Sequence, residues 1–584
     1  MVRIATSLLL AFSISTWAFA QEFSAERITE WNKAGNTTEV LAPLNQKTIL
    51  DFGGDNTGTT NSNEAFELAL ASLNGSAGTI YFPEGDYFFT SALIIPDSVF
   101  LKGAGTDSKL KFDLGGNSNL IQITGSILPT EFSLAQNATK GNYTIELLDA
   151  SGFEVGNFIR LYMNDEDLMF SSWAYGTLGQ VIEVTEVNDN QLTLADPLNH
   201  NYPLVRAPFA KQINPICGAG IECLSIERED NSVSQSSNIY FNAANNCVVR
   251  NVESVRCDFG HVEINSSAHI SVEHNYFHHA IGYGGGGKGY GVIFQTASSF
   301  CLAEDNLFEH LRHSMLIQSG ANGNVFAYNY STNPFWETNG LPANSAGDAV
   351  LHGNYTYLNL FEGNTVQNMV IDASHGKNGP FNTFFRNRGE LFGFFSDAGT
   401  PTDSMNVVGN EITNSGFPYG LFMLSGDGHY SFGNNVSGSC NPIGTSELEI
   451  ESLFLESGQV PEYLAGNTLP MVGYSLSMNE KQLPAQQRFE SGTPVGCNQA
   501  VVTSTSNESA KSEELLFMAG DNLMISKKLI PATVKTFTLE GRLLETDAVT
   551  SNTYNVGKLG SRAIYILQVI GPKGQTSSIK LLKN

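Results

Sequence analysis

The sequence predicts an all-β protein whose main body is a right-handed parallel β-helix. Between Cys247 and Val436, asparagines recur after short apolar segments, most of them 23 or 24 residues apart. Each cycle also contains several short segments rich in Val, Ile and Phe, as three strands per coil require. An amphipathic helix precedes the repeat and fits a cap on the open end of a solenoid. The repeated residues are Asn251, Asn275, Asn306, Asn329, Asn364, Asn387, Asn410 and Asn434.

Asparagine suits the bend between strands, because it tolerates left-handed backbone geometry and its amide can hydrogen-bond the amide of the next coil. Two intervals are longer, with 31 residues from Asn275 to Asn306 and 35 from Asn329 to Asn364. Strands cannot absorb extra residues, so we expect two loops on neighbouring coils, around 278–290 and 335–347. Insertions on one face of a solenoid usually mark its binding face.

Composition restricts where the protein works and what it binds. A basic start, an apolar run and Ala18-Phe19-Ala20 predict a secretory signal peptide over residues 1–20. No later segment is long and apolar enough for a membrane span, so we expect a secreted or surface-attached protein. The net charge of −27 with no basic stripe argues against nucleic acid as a partner.

Seven cysteines and no CxxC pair argue against a disulfide framework and against a structural zinc site. Cys217 could pair with Cys223 after export, and Cys440 with Cys497.

The sequence also indicates the order of the domains along the chain. The β-helix is expected over 21–465, with a helix from about Asn63 to Leu73 near its start. The coil pattern lapses over about 130–203, which indicates a small inserted β-domain. A wind-down and linker follow over 466–514, and alternating strands and turns over 515–584 indicate a C-terminal β-sandwich.

The N-terminal part resembles the signature of the pectate-lyase-like β-helix superfamily. The matching residues are Asp51-Phe52-Gly53-Gly54, the helix residues Ala65 to Ala71, and the segment from Thr79 to Tyr87. The resemblance implies the fold and leaves the activity open, because the superfamily includes lyases, hydrolases, epimerases and phage tailspikes. Some of its lyases hold Ca²⁺ with Asp and backbone oxygens, so calcium is the one cofactor left open.

The last segment resembles the C-terminal sorting domain of the type IX secretion system of Bacteroidetes. The matching pieces are 537–543 (FTLEGRL), 564–569 (IYILQV) and 580–583 (KLLK). Glu540 stands where the family usually has Asp or Asn, and Ala563-Ile564 where it has Gly before the Tyr. The resemblance implies that this domain is an address read by the secretion machinery, with the protein displayed on the outer-membrane surface.

Counting back from the ladder asparagines aligns the coils. Same-column residues on adjacent coils lie about 4.8 Å apart, and residues two apart in a strand share a face. Val262 and Ile264 are apolar while His261 and Glu263 are polar, which favours an outward direction for the polar columns. Position −16 is Phe259, Tyr290, His313, Asp348 and Ile371, and position −12 is Glu263, Phe294, Ile317, His352 and His375.

Nine of the eleven histidines lie within Gly260–Lys377, close to the two expected loops. We therefore predict a histidine-lined outer face, and the superfamily resemblance implies that this face acts on a polysaccharide, which we expect to be anionic. The predicted catalytic residues are His313, Tyr290, Arg312, Asp348, His375 and Lys377. The predicted substrate-binding residues are Lys288, His352, His279, Tyr283, Trp336 and Phe294.

These residue types fit β-elimination of a uronic-acid polysaccharide. The reaction needs a cation to neutralise the substrate carboxylate, a base for the α-proton and an acid for the leaving oxygen. Tyr290 and His313 fit base and acid, and Arg312, Lys288 and Lys377 fit the cation. Asp348, in the column of His313, could orient its ring or raise its pKa.

Two alternatives remain open. A glycoside hydrolase needs two carboxyls about 5–9.5 Å apart, and Asp348 would be one, with Glu263, Asp372 or Glu337 as further candidates. A non-catalytic surface adhesin could instead stack sugars on Tyr283, Tyr290, Phe335 and Trp336. A zinc site would need more than His310 and His313 at i and i+3, so no metal ligands are predicted.

Overall fold

The computed structural model describes residues 23–455 except 117, 232–234, 338–339, 397–398, 446–447 and 449. It also describes 461, 472–473, 482–497, 516–519, 522–525, 530–538, 543–551, 553–556, 563–570 and 576–583. The predicted signal peptide and most of the predicted linker lie outside the described residues. The chain divides into two compact units, residues 1–498 and 499–584.

The first unit is a parallel β-helix with three strand-bearing faces, as the sequence predicts. Face 1 is a twelve-stranded sheet in which every pairing is parallel and each strand comes from a successive coil. Its strands are Gln46–Thr48, Gly78–Phe82, Val99–Gly103, Gly220–Glu222, Val248–Arg250, Ser271–Glu273, Leu302–Glu304, Val325–Ala327, Leu360–Glu362, Thr383–Phe385, Asn406–Val408 and Tyr430–Phe432.

Faces 2 and 3 belong to one larger sheet, because two long strands run across the corner between them. Those two strands are Thr365–Ile371 and Arg388–Ser396. The other strands of face 2 are Thr57–Asn61, Gly85–Phe89, Ser108–Phe112, Ser225–Arg228, Glu253–Cys257, Tyr276–Ala280, Leu307–Glu309, Tyr330–Thr332, Glu411–Ile412, Asn434–Val436 and the antiparallel Ser439–Asn441. The other strands of face 3 are Leu93–Ile94, Ile121–Thr124, Ile239–Asn242, Gly260–Asn265, Tyr290–Gln295, His313–Ile317, Ala349–Leu351 and Leu421–Met423.

Among its described residues, the first unit also contains two α-helices and six short 3₁₀ turns. Helix α1 (Asn63–Ala71) packs its buried Ala65, Phe66 and Ala69 on the first coils, as expected of a cap. Helix α2 is Pro484–Glu490. The 3₁₀ turns are Ala25–Arg27, Trp31–Lys33, Ile49–Phe52, Ser172–Ala174, Leu204–Arg206 and Ala343–Ser345. In the described part of the chain, no helix combines the length and apolar character needed to cross a membrane.

A ladder of buried asparagine side chains runs along the corner between faces 1 and 2. Each Nδ2 donates to the Oδ1 of the next asparagine at 2.9–3.0 Å, and each Oδ1 also accepts a backbone N–H from the coil before. The ladder consists of Asn275, Asn306, Asn329, Asn364, Asn387, Asn410 and Asn434. Seven of the eight predicted positions are thereby confirmed.

Asn251 is not part of this ladder. The backbone N–H of Val252 donates to Asn275 Oδ1, so Val252 occupies the ladder column in that coil. Asn251 lies one residue earlier, at φ 53°, where its left-handed geometry forms the bend. A second ladder, missed in the sequence, joins Asn324, Asn359 and Asn382 at the corner before face 1.

Both predicted loops exist and leave the coil at the same corner. Residues 281–289 and 333–348 each connect a face 2 strand to the following face 3 strand. They contact each other, because the N–H of Glu337 in the second loop donates to Tyr283 O in the first, and Arg312 of the coil donates to Gly284 O of the first loop. The two loops therefore form one wall along face 3.

The inserted domain is an antiparallel sheet that begins and ends slightly outside its expected bounds. Its sheet starts at Ser126 and ends at Asn214, and its apolar core includes Tyr357 and Leu358 from a coil turn. Its strands are Ser126–Ile127, Phe132–Ser133, Thr144–Glu146, Phe158–Tyr162, Gly179–Asn188, Gln191–Leu194 and Phe209–Asn214. The short parallel pair Ile216–Cys217 and Ala244–Asn245 lies where the coils resume.

Segments from both ends of the first unit are attached to the coils. The Trp31 indole donates to Leu358 O at 2.7 Å, and Asn36 donates to Cys247 O and His269 O. Arg488 of α2 forms an ion pair with Asp305.

The cysteine arrangement differs from the expected pairings. All seven cysteines are thiols, and Cys497 lies beside Cys223, with which it shares a hydrogen bond. The expected pairs Cys217–Cys223 and Cys440–Cys497 are therefore not formed in the structure, where Cys497 Sγ also lies 3.6 Å from Asn251 O.

The second unit contains two antiparallel sheets that share one apolar cluster. Leu523, Tyr554 and Val556 from one side and Val534, Leu567 and Val569 from the other belong to this cluster, as expected of a β-sandwich. The strands are Leu516–Ala519, Asn522–Ile525 and Thr553–Asn555 in one sheet, and Ala532–Thr538, Leu543–Val549, Ala563–Ile570 and Thr576–Lys583 in the other.

We expect Asn329→Ala to destabilise the first unit by on the order of 3 kcal/mol, because it leaves buried partners of four hydrogen bonds unsatisfied. Asn251→Gly, which preserves the left-handed bend and lies outside the ladder, should change stability by less than about 0.5 kcal/mol. Urea unfolding of both variants tests this, and equal losses would contradict the special role of the ladder.

Candidate active site

A groove runs along the outside of face 3, between the long loops and the inserted domain. Its first part is a cavity of about 520 Å³. Strand and turn residues of face 3 form the floor, the loop at Gly286 and Gly287 forms one side, and Trp173 of the inserted domain forms the other. The remaining lining residues are Gln235, Phe259, Glu263, Tyr290, Gln295, Thr296, Arg312, Gln318, His352, Ser374 and His375.

A second cavity of about 450 Å³ continues the groove and shares Arg312 and Ser374 with the first. Trp336, Leu341 and Pro342 of the second long loop line it, together with His313 and Asp372. Arg312 therefore lies at the junction of two cavities, each of which contains one tryptophan.

His352 and Asp372 form a pair at this junction, where face 3 strands end. The two stack on adjacent coils, because Leu351 is paired with Ile371. His352 Nδ1 lies 2.8 Å from Asp372 Oδ2, and the N–H of Ser374 donates to Asp372 at 2.7 Å. Burial of Asp372 favours a raised pKa. The hydrogen bond and charge of His352, together with the hydrogen bonds from Ser374, outweigh this effect of burial and hold the pKa of Asp372 far below its ordinary value. Asp372 is therefore a carboxylate that fixes the His352 ring.

His313 and Tyr290 stack on each other beside this pair. Their ring centroids are 5.1 Å apart, and the His352 ring lies 5.6 Å from His313. Burial, followed by the charges of Arg312 and His352, lowers the pKa of His313 to about 3, so its ring is neutral. Its Nδ1 lies 2.9 Å from Gly347 O, an acceptor, so Nδ1 carries the proton and Nε2 bears the lone pair.

Tyr290 and His375 complete the ring cluster. Burial raises the pKa of Tyr290, while the nearby Arg312 charge works in the opposite direction. Burial, followed by the charge of His352, lowers the pKa of His375, whose ring lies 4.9 Å from that of His352. The His313 and His375 imidazoles are thus disfavoured in their charged forms, next to a phenol close to a cation.

The Arg312 guanidinium lies between two aromatic rings. Its Cζ is 5.7 Å from the Tyr290 centroid and 5.9 Å from the Trp336 centroid, and Nη1 donates to Gly284 O at 2.7 Å. Its Nε is buried and has no hydrogen-bond partner among the described residues. Arginine is suited to bind a planar carboxylate, and Arg312 lines both cavities, so its guanidinium is placed to attract an anionic ligand.

His313, His352 and Asp372 could together hold a metal ion, because one ligand atom from each lies within 4.8 Å of the others. Two histidines and a carboxylate suit a transition metal better than Ca²⁺, which takes oxygen ligands. The adjacent Arg312 charge opposes a further cation at this position.

Asp348 does not face the groove, so the expectation that it supports His313 is wrong. Its carboxylate points into the coil, where it accepts from Ser331 Oγ at 2.6 Å and from the N–H groups of Gln367 and Asn368. The residue that stacks on His313 is Gly347. The turn from Leu351 to Leu360 is one residue longer than the turn from Ile317 to Val325. Counting back from Asn364 therefore places Asp348, instead of Gly347, beside His313.

Phe294 is also misplaced in the prediction. It faces the interior, where its ring stacks on Phe326 with centroids 4.5 Å apart, and it belongs to the main core. His261 is likewise interior, with Nδ1 bonded to Ser254.

Four further predicted site residues lie outside both parts of the groove. Lys377 pairs with Asp403 on the surface beyond the turn that carries His375. Lys288 lies 3.6 Å from the buried Asp258 at the base of the glycine loop. His279 and Tyr283 contact His310, and Tyr283 also packs against Phe335, at the outer side of face 2. Their geometry favours holding the loops rather than contacting a ligand.

The structure thus unites Tyr290, Arg312, His313, His352, His375 and Trp336 of the predicted residues. It adds Asp372, Ser374 and Trp173. From the sequence, Asp372 was named only as a further carboxylate for the hydrolase alternative. Trp173 lies in the sequence FSSWAY of the inserted domain, where a concentration of aromatic residues in a polar turn was the available signal.

The fold and the groove define a parallel β-helix protein with a cleft lined by histidine, arginine and tryptophan. A family model described as "Rhamnogalacturonase A/epimerase, pectate lyase-like" matches residues 47–137, which agrees with the resemblance noted for residues 51–87. No curated protein matches the chain.

Several solved structures are similar at low sequence identity. The tailspike protein gp49 from Pseudomonas phage LKA1 has 15% identity and a TM-score of 0.47, covering 66% of this chain and 77% of the tailspike chain. The GH87 α-1,3-glucanase from Streptomyces thermodiastaticus has 13% identity and a TM-score of 0.39, covering 70% and 68%. An exopolygalacturonase from Thermotoga maritima has 11% identity and a TM-score of 0.34, covering 69% and 95%. With TM-scores below 0.5, these similarities do not identify an activity.

The interior position of Asp348 makes stability depend on pH. Burial raises the pKa of Asp348 to about 7, against its hydrogen bonds, whereas an unfolded Asp titrates near 3.9. Between about pH 4 and 7 the folded state retains a proton that the unfolded state loses, so stability should fall by up to ~4 kcal/mol as pH rises. Asp348→Asn lacks this effect.

Thermal unfolding of both proteins at pH 5 and pH 8 measures the difference. We expect the stability of Asp348→Asn, relative to the unmodified protein, to increase at the higher pH. An equal difference at both pH values would mean that Asp348 is ionised in the fold throughout.

Proposed function

We propose that this protein cleaves an acidic, uronic-acid-containing polysaccharide by β-elimination. The observation that carries the proposal is the position of the Arg312 guanidinium at the junction of the two cavities, in a groove that also contains the His352–Asp372 pair and Tyr290. These groups supply the cation, base and acid that the reaction requires.

Arg312 would bind the carboxylate of the sugar at the junction of the two cavities. Neutralising this carboxylate makes the adjacent C–H more acidic, because the negative charge that develops on deprotonation is stabilised. The rings of Tyr290 and Trp336 keep the guanidinium fixed and partly desolvated, which strengthens its interaction with an anion.

His352, in its neutral form, would take the α-proton. Asp372 Oδ2 lies 2.8 Å from Nδ1, so Nε2 is the nitrogen left for the substrate, and the carboxylate stabilises the imidazolium that forms. The electron pair of the broken C–H bond then forms the C=C bond and expels the glycosidic oxygen, whose proton comes from the Tyr290 hydroxyl. His313, neutral and stacked on Tyr290, positions the phenol ring.

The carboxylate geometry favours elimination over hydrolysis. Asp348 is interior, and the groove carboxylates Glu263 and Asp372 lie four coils apart, roughly 19 Å at the strand spacing of a β-sheet. Paired-carboxylate hydrolysis needs a separation below about 9.5 Å. Glu263 is also held by Ser237, Asn265 and Gln295, and burial raises its pKa.

We expect the protein to release unsaturated sugars, detected by their ultraviolet absorbance, from at least one polyuronate among polygalacturonate, alginate and glucuronic-acid-containing glycans. His352→Gln and Arg312→Gln should each lower kcat/KM by at least about 100-fold, because they remove the base and the carboxylate ligand. His429→Gln, a matched change outside both cavities, should leave activity within about twofold.

New reducing ends without ultraviolet absorbance would show hydrolysis and contradict the proposal. Retained binding without either product would favour the adhesin. Activity of His352→Gln close to that of the unmodified protein would contradict the role of His352 alone.

The route to the cell surface is a further part of the proposal. We infer that residues 1–20 direct export and that the C-terminal unit is read by a type IX secretion system, on the residues that resemble its sorting domain. Deletion of residues 515–584 in a Bacteroidetes host should retain an active protein in the periplasm, as measured by cell fractionation. Surface display of the truncated protein would contradict the sorting role.

A further inference from the structure

The inserted domain presents one large aromatic side chain to the groove. Trp173 is 54% exposed, although Ala174 beside it is fully buried in the core of the same domain. A tryptophan left in solvent is unfavourable unless a ligand covers its apolar face. Trp173 lines the same cavity as Tyr290, Arg312 and His352.

The turn that carries Trp173 is held rigidly on the coil. Asn354 Oδ1 accepts the N–H groups of Phe170 and Ser171 at 3.1 and 3.0 Å. Within the inserted domain, the buried Asp165 accepts the N–H groups of Gly176 and Leu178. These bonds hold the backbone of the turn in place, so that Trp173 is presented to the groove.

Gly376 allows this close approach. It lies at φ 75°, and a Cβ at that position would come within 2.4 Å of Phe170 Cβ. The coil turn after Asp372 is thus shaped to receive the inserted domain at this point.

Trp173 is linked to the proposed catalytic centre by two edge-to-face ring contacts. Its ring lies 5.5 Å from the His375 ring at 84°, and His375 lies 4.9 Å from His352. His375 Nδ1 is 3.2 Å from Ser171 Oγ of the same turn. Trp173 is therefore two ring contacts from His352, too far to stack on the reacting sugar and suitably placed for a neighbouring one.

We propose that Trp173 is a pyranose-binding platform, which extends the groove by one sugar subsite and gives the protein a preference for longer chains. The C–H face of a pyranose matches the flat apolar indole, and the cavity floor supplies amide groups from Gln295 and Gln318 for its hydroxyls. Trp336 occupies the cavity on the opposite side of Arg312, so the groove binds sugars on both sides of the cleaved bond. The inference rests on the proposed polysaccharide substrate.

Steady-state kinetics on a long polyuronate and on the shortest oligosaccharide that is cleaved test the platform. Trp173→Ala should raise KM for the polymer about tenfold and leave kcat within about twofold, with little change for the short substrate. Trp173→Phe should retain most of the affinity, which controls for disruption of the turn. Tyr175→Ala, in the same turn but outside both cavities, should behave like the unmodified protein.

Binding is measured separately from chemistry, so that the two proposals can fail independently. In the His352→Gln background, migration through gels containing polygalacturonate or alginate should be retarded, and Trp173→Ala should reduce this retardation. Unchanged KM and unchanged retardation in Trp173→Ala would overturn the platform even if unsaturated products are formed. Retardation that depends on Trp173 without any product would support the platform and reject β-elimination.

Discussion

The structure depends on hydrogen bonds between identical side chains on successive coils. Each ladder asparagine, such as Asn329, binds the asparagine before it, the one after it and a backbone carbonyl. Because these amides are buried, the coils cannot shift relative to one another without leaving polar groups unsatisfied. The ladder therefore sets both the register and the spacing of the groups on the outer face.

This fixed register makes a site from residues that are distant in sequence. Tyr290 and His313 stack because their strands are paired directly, and His352 meets Asp372 for the same reason. Arg312 then lies where the two long loops converge. The coils carry the side chains proposed to act in catalysis, while the long loops and the inserted domain form the sides of the groove.

Much of the fold could be predicted because its causes are local. The asparagines at the bends recur at a regular spacing, and the extra residues of the loops lengthen two of the intervals. Both features are visible in the sequence, and the ladder and the two loops were predicted from them. The direction of side chains depends on turn lengths, which the ladder alone does not give. One extra residue between Leu351 and Leu360 moved Asp348 from the expected outer column to the interior.

The positions of Phe294 and Trp173 could not be predicted for a similar reason, because they depend on side-chain direction and tertiary contacts. Phe294 was aligned with His352, yet it occupies an interior column together with Phe326. Trp173 reaches the groove through a tertiary contact between the inserted domain and a coil turn, and no periodicity relates residue 173 to residue 375. The histidine cluster was found because several members of one residue type crowd a short stretch, not because their individual contacts could be foreseen.

The attachment of the N-terminal segment has a consequence for how the chain matures. Arg27 donates a hydrogen bond to the side chain of Asn406, and the Trp31 indole donates one to the carbonyl of Leu358. The first described segment of this unit therefore packs against some of its later coils. The β-helix can form coil by coil from its capped end, but the N-terminal segment cannot pack in place until those later coils have formed. A chain interrupted before those coils would expose the Trp31 side chain and the apolar strip it covers, which marks it as incomplete to proteases and chaperones.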